Sequence, residues 1–159
     1  MRNVEVITRG LVIADSQVLL CTSKRGGYAY LPGGHVEFGE PAAAALRREF
    51  REETGLAVVV GPLLAIAEVV FSQAGRPRHE IDLVFHVEPW ARCGLERVVS
   101  HEPDIEFEWR KPDDFSDLRI YPEIVRTWLL ERLRSSAIIA HSPFEAYTHP
   151  VFLSSSGSA

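Results

Sequence analysis

Three glutamates, Glu49, Glu52 and Glu53, stand at positions i, i+3 and i+4 of a stretch whose ends mark it as a helix. Pro41 fits the first helical position after Glu40, and four alanines in a row favour helix strongly. Gly55 stands where a left-handed C-terminal cap is wanted. A helix with this spacing stacks the three carboxylates on one side. Like charges that close repel, and a fold gains nothing from the arrangement unless a cation sits among them. Hard divalent ions such as Mg²⁺ take oxygen ligands and bridge protein carboxylates to substrate phosphates. Ala43, Leu46 and Phe50 form the apolar stripe expected to face a sheet, with the carboxylates on an adjoining face. Taken alone, the charged face has an ordinary reading too, as a solvated surface paired with Arg47, Arg48 and Arg51.

The rest of the chain sets bounds on that helix. With 159 residues, 46% of them hydrophobic, one core can be buried and two ordinary domains cannot. The net charge of −5 argues against a nucleic-acid or membrane-surface partner. An acidic chain handling anionic phosphates needs local cations, which again points to bound metal. Cys21 and Cys93 are the only cysteines and are expected to be free thiols. The first residues lack the apolar core of a signal peptide, and no run approaches the roughly 18 apolar residues of a membrane span, so a cytoplasmic protein is expected.

Patterning predicts a strand over Val4 to Ala14, a turn at Asp15-Ser16 and a return strand from Val18 to Cys21. Lys24 to Gly27 reads as a basic loop tip, and Pro32-Gly33-Gly34 as a bend that comes close to a ligand. Beyond the helix, two apolar runs (Ala57 to Val60 and Leu63 to Phe71) precede a basic turn at Arg76-Pro77-Arg78. A strand over Glu80 to Val87 follows, with Ile81, Leu83 and Phe85 on one side. A short strand is expected near Leu95 to Val99, a final one at Phe107 and Trp109, and a turn or helix start at Pro112 to Phe115. Pro122 to Arg134 carries a second amphipathic pattern. Strands and helices without regular alternation imply an α/β fold whose sheet is mixed or antiparallel, with helices on its faces. Residues 1–134 are expected to form one domain and 135–159 a C-terminal extension whose last six residues are disordered.

Gly34, five residues, Glu40, seven residues, Arg48-Glu49-Phe50, one residue, Glu52-Glu53, one residue and Gly55-Leu56 resemble the Nudix box at every defined position. The resemblance implies an α/β/α sandwich over about Val4 to Arg134 and a MutT-like hydrolase. It implies that Glu52 and Glu53 are metal ligands and that Glu49 is a further ligand or the base that activates water. Arg48 would orient a neighbouring carboxylate. Glu40 would support the metal cluster as well as favour the helix start, and the carbonyl of Gly33 would contribute to metal binding. A loop carboxylate beyond the box often supplies a ligand or base; Glu102, Asp104, Glu106 and Glu108 are candidates, with Glu102 preferred by position.

The implied activity is Mg²⁺-dependent hydrolysis, with Mn²⁺ as a substitute, of a phosphoanhydride bond in a nucleoside diphosphate linked to another group. Nucleoside triphosphates come first among the substrates, then ADP-ribose-like molecules. A nucleotide-sensing module of the same fold is the alternative, although such relatives generally lose box carboxylates and this chain keeps them all. An isomerase acting on an allylic diphosphate would want a cysteine–glutamate pair, of which Cys21 and Cys93 give no sign. Arg25, Arg76, Arg78 and His79 are candidates for phosphate or ribose contacts, and Tyr28, Tyr30, Phe71, Phe85 and Trp109 for base stacking, each against an ordinary loop or core role. Many relatives are homodimers, and the apolar segment 137–152 suits either such a contact or packing on its own domain.

Overall fold

A computed structural model describes residues 3–73, 75–89, 97–134 and 151–154. In chain order its strands are β1 (Glu5–Leu11), β2 (Ile13–Ala14), β3 (Gln17–Ser23), β4 (Tyr28–Tyr30), β5 (Gly33–His35), β6 (Val58–Gln73), β7 (Arg76–Pro89), β8 (Ile105–Arg110) and β9 (Val151–Ser154). The helices are α1 (Ala42–Thr54) and α2 (Glu123–Arg134), with a 3₁₀ turn at Pro112–Ser116. Within the described residues a five-stranded mixed sheet runs β5-β1-β7-β6-β9, and a smaller antiparallel one is built on β3, which pairs with β2, β4 and β8. In the large sheet β1 lies parallel to β7 and antiparallel to β5, while β6 lies antiparallel to β7 and parallel to β9. No helix of the described residues is long and apolar enough to cross a membrane.

Strand alternation gives this sheet two cores rather than one. Leu11, Leu20, Ala65, Ala67 and Val84 join Val125, Trp128, Leu129 and Leu133 of α2 in one buried cluster. Val12, Leu19, Val58 and Val87 join Leu46 and Phe50 of α1 in the other. Both faces are thereby covered by a helix, the expected sandwich. Gly10 lies at the closest approach of β1 and α1, where a Cβ would stand 2.7 Å from the Phe50 ring.

The structure redraws several boundaries. The two apolar runs after α1 are a single strand, β6, carrying register shifts between Val60 and Ala65. Arg76-Pro77-Arg78 is not a turn: these residues open β7, paired with Gln73, Ser72 and Phe71, because the chain reverses at Gly75, whose φ of +74° suits a glycine. Pro41 is the residue before α1 rather than its first, and Gly55 caps it in the left-handed conformation with its N–H on the Arg51 carbonyl. Ala45 replaces Ala43 in the buried stripe of the helix. The strand at Phe107 and Trp109 is internal to the chain order, since β9 follows it. β9 also reaches Ser154, the first of the six residues expected to be disordered. Cys21 is a free, buried thiol, while Cys93 and the start of the strand expected at Leu95 lie outside the described residues.

Leu46 is fully buried at the centre of the contact between α1 and the sheet. Leu46→Ala is expected to lower unfolding stability by about 2–5 kcal/mol, read as a shift in the urea midpoint at constant slope. A loss below about 1 kcal/mol would show that α1 does not depend on this stripe.

Candidate active site

The candidate site forms where the turn after β4 meets α1. Gly33 opens β5 at φ +137°, and a Cβ there would stand 2.1 Å from the Thr8 carbonyl oxygen, so only glycine lets the turn lie against β1. The Pro32 carbonyl accepts the Gly10 N–H at 2.7 Å, which straps the turn down. At Gly34 a Cβ would fall 2.5 Å from the Glu49 carboxyl carbon. The absent side chain is the space that the carboxylate occupies.

Arg48 collects the acidic groups. Its Nε and Nη2 donate to the two oxygens of Glu40, each at 3.1 Å. Its Nη1 donates to Glu49 at 2.8 Å and to Glu52 at 3.1 Å, and Nη2 also donates to the His35 carbonyl at 3.0 Å. These bonds, those to Glu40 first, raise the guanidinium further above its ordinary range, and they hold Glu40 below the usual carboxylate range. Glu40 makes no cap on α1; its other contact is the Glu37 N–H.

Glu53 differs from its neighbours. Leu46, Phe50 and Glu53 follow one another at i, i+4 and i+7, so Glu53 lies on the buried stripe itself, not on the adjoining face. It is 7% exposed, and its Oε2 is buried without a hydrogen-bond partner. Burial, then the charges of Glu49 and Glu102, push its carboxyl up to about 8, against a pull from Arg9.

Glu102 reaches this neighbourhood through its loop. The His101 N–H donates to the Glu53 carbonyl at 2.7 Å, which docks the loop on the last turn of α1. Ser100 Oγ donates to the Glu102 carbonyl at 2.9 Å and accepts the Glu102 N–H at 3.0 Å. Of the other loop candidates, Asp104 pairs with Arg25, Glu106 with Lys24 and Glu108 with Arg110. Among the described residues Glu102 has no ion-pair partner. A cleft of about 510 Å³ runs along this loop, with Lys24, Ser100 and Glu102 in its lining. Arg78 and His79 are taken up by Glu5 and Glu68 rather than left free for a ligand.

The donor set is chemically right for a hard cation: an orphaned buried carboxylate oxygen, with the charges of Glu49, Glu102 and Glu52 acting against its ionised form. Among the described residues no three His, Cys, Asp or Glu side chains already converge as a coordination shell. Arg48 accounts for this, since it draws Glu49 and Glu52 onto its own nitrogens. A cation held there would have to share both carboxylates with that guanidinium.

Sequence reading passed over a second charged pair. Asp82 is fully buried in β7, neither of its oxygens has a hydrogen-bond partner, and its closest cation is Arg9 Nε at 3.8 Å. Burial raises its carboxyl to about 6, opposed by Arg9. The signal was present: an arginine and an aspartate of opposite charge, each inside a strand that also carries buried apolar residues.

A family model described as the NUDIX domain matches residues 5–129. An uncharacterised Nudix hydrolase, YvcI of Bacillus subtilis, is 25% identical over 122 residues, covering 77% of this chain and 75% of its own length. An ADP-ribose pyrophosphatase of Methanocaldococcus jannaschii is 41% identical over 85 residues, which span half of this chain and 48% of that protein. Among solved structures, a MutT protein from Bacillus halodurans superposes with a TM-score of 0.57 at 26% identity, covering 80% of each chain. A MutT protein from Methanosarcina mazei Go1 reaches 0.64 at 22%, covering 85% of this chain and 96% of its own.

The raised Glu53 carboxyl makes a pH prediction. Its folded value of about 8 lies above the ordinary 4.5, so folding takes up a proton between those limits. The stability this group contributes is complete below about 4.5 and is lost as pH rises through 8. Asp82 acts in the same direction up to about 6. In chelator, the thermal midpoint is expected to fall from pH 5 to pH 9, and Glu53→Gln to flatten the part of that fall above pH 6. A variant as pH-sensitive as the parent there would contradict the assignment.

Proposed function

The chain belongs to the Nudix family, and on that premise we propose that it is a Mg²⁺-dependent hydrolase of a phosphoanhydride bond in a nucleoside diphosphate linked to another group. The observation that carries this reading is the buried Glu53 carboxylate, unpartnered and crowded by Glu49, Glu52 and Glu102. Such a site is costly for a fold and useful for binding a cation beside phosphate. Nucleoside triphosphates are the first substrate class and ADP-ribose-like molecules the second. The ADP-ribose pyrophosphatase name of one relative supports the second class.

In this proposal Glu49, Glu52 and Glu53, with the Gly33 carbonyl, hold the metal, and Glu40 supports them through Arg48. Mg²⁺ there, or Mn²⁺ in its place, supplies positive charge to the phosphate oxygens and lowers the pKa of a water. Glu102 takes the proton of the attacking water, being the loop carboxylate that shares the field of Glu53 without an ion pair among the described residues. Arg48 holds Glu49 and Glu52 in place beside the turn, where both carboxylates would be available to a metal. Burial of Glu53 keeps its oxygen unsolvated, so its interaction with a cation is strong. The bond that breaks leaves a nucleotide and a phosphate-bearing fragment.

A panel of nucleoside triphosphates and ADP-ribose, assayed with Mg²⁺ for phosphate and pyrophosphate release, tests the proposal. Turnover of one member is expected, with Glu53→Gln losing most of it while remaining folded. Glu102→Gln is expected to lower kcat by about 10²–10⁴ with KM little changed. Binding without turnover would favour the nucleotide-sensing alternative, and a fully active Glu53→Gln would refute the metal assignment.

A further inference from the structure

Strand β4 and the segment that leads into α2 present an aromatic surface that the hydrolytic site does not use. Ala29 and Ile120 form a parallel bridge: the Ala29 N–H donates to the Arg119 carbonyl and the Tyr121 N–H to the Ala29 carbonyl, each at 2.8 Å. Both bridging residues are 2% exposed and point into the core. Alternation along extended backbone therefore turns Tyr28, Tyr30, Arg119 and Tyr121 to the other side. There Tyr28 meets Tyr121 edge to face, with centroids 5.5 Å apart and planes at 90°, and lies 6.0 Å from Tyr30. Arg119 sits 5.7 Å from the Tyr121 centroid and donates to its hydroxyl at 3.0 Å, while Arg9 lies 5.2 Å from the Tyr30 centroid.

Tyr121 keeps 45% of its surface exposed, so this is not simply core. The surface also adjoins the glycine turn of the site: β4 leads through Leu31 and Pro32 into Gly33, and Arg9, paired in register with Gly33 and donating to the Leu31 carbonyl, lies over Tyr30. An exposed ring with a guanidinium against it, beside the turn of an acidic metal-type site, suits a ligand with a flat π face and an anionic tail. Stacking of a base on an aromatic side chain tolerates any base, because each has a π face.

We propose that Tyr28, Tyr121 and Arg119 form the platform on which the purine base of the substrate stacks, with its phosphates directed toward Glu53. This deepens the hydrolase reading above and rests on it. The Tyr121 hydroxyl is engaged by Arg119 and the Tyr30 hydroxyl by Cys21. The platform therefore reads the face of the base rather than its edge. Adenine and guanine bind alike, and cytosine, with its smaller face, binds more weakly.

Calorimetric titration of the full chain with AMP, GMP, CMP and ribose 5-phosphate, in chelator so that no hydrolysis occurs, tests this. AMP and GMP are expected within about three-fold of each other, and ribose 5-phosphate about ten-fold weaker or more. Tyr121→Ala and Tyr28→Ala should each weaken AMP about ten-fold and leave ribose 5-phosphate unchanged, while Tyr121→Phe keeps AMP within about two-fold. Circular dichroism and thermal melts confirm folding; if an alanine variant unfolds, the exposed Arg119→Gln replaces it, with AMP weakened about three-fold. The proposal is overturned if wild-type protein binds AMP no better than ribose 5-phosphate, if folded variants bind AMP as the parent does, or if adenine is strongly preferred over guanine. Because no turnover is read, such a failure leaves the hydrolase reading intact, and the substrate panel decides that reading separately.

Discussion

The guanidinium of Arg48 organises the site. It is bound at once to Glu40 from the turn, to Glu49 and Glu52 from its own helix, and to the His35 carbonyl from β5. One cation thereby joins the glycine turn to α1 and quiets three of the four carboxylates near it. The fourth, Glu53, is left without compensation because it lies on the buried stripe. Isolated carboxylates are normally driven to protonate or to find a cation. Burial and the neighbouring charges push Glu53 toward the first outcome, and the second is the proposed working state.

That division depends on packing. Leu46 and Phe50 fix the rotation of α1 against the sheet, and the i+7 phase carries Glu53 inward with them. Rotation of the helix by one residue would expose Glu53 and relieve its repulsion, so the apolar contact is what keeps the charge buried. At the far end of the helix, Gly55 and the Glu53 carbonyl receive the loop that carries Glu102; a Cβ on Gly55 would stand 2.9 Å from the His101 ring. Packing, capping and the placement of the carboxylates are three consequences of one helix sequence.

Much of this was legible in the chain before any coordinates. The C-terminal cap of α1, the hairpin at Asp15-Ser16 and the mixed α/β class follow from local chemistry (a cap glycine, turn residues and apolar period), while the sandwich was implied by the resemblance of the box. The carboxylate cluster was legible because its spacing is set by helix geometry. Burial of Glu53 was not, since i, i+3 and i+4 say that three side chains are neighbours without saying which one faces the core. The reversal at Gly75 was misread because Arg76-Pro77-Arg78 has a turn-like composition, while cross-strand pairing with Phe71 to Gln73 holds it extended. Asp82 and Arg9 meet only through the parallel register of β1 and β7, a long-range pairing no local pattern encodes. The tyrosine surface depends likewise on a single bridge between Ala29 and Ile120, far apart in sequence.

In the proposed hydrolase the Glu53 carboxylate is held in reserve for a divalent cation. Crystals of the protein grown with Mn²⁺ and measured at the manganese edge test it most directly. An anomalous peak is expected at roughly 2.2 Å from Glu53 Oε2, with Glu49 or Glu52 turned from Arg48 to share the ion. An anomalous map with no peak at Glu53, in crystals whose Arg48 still holds both Glu49 and Glu52, would contradict it.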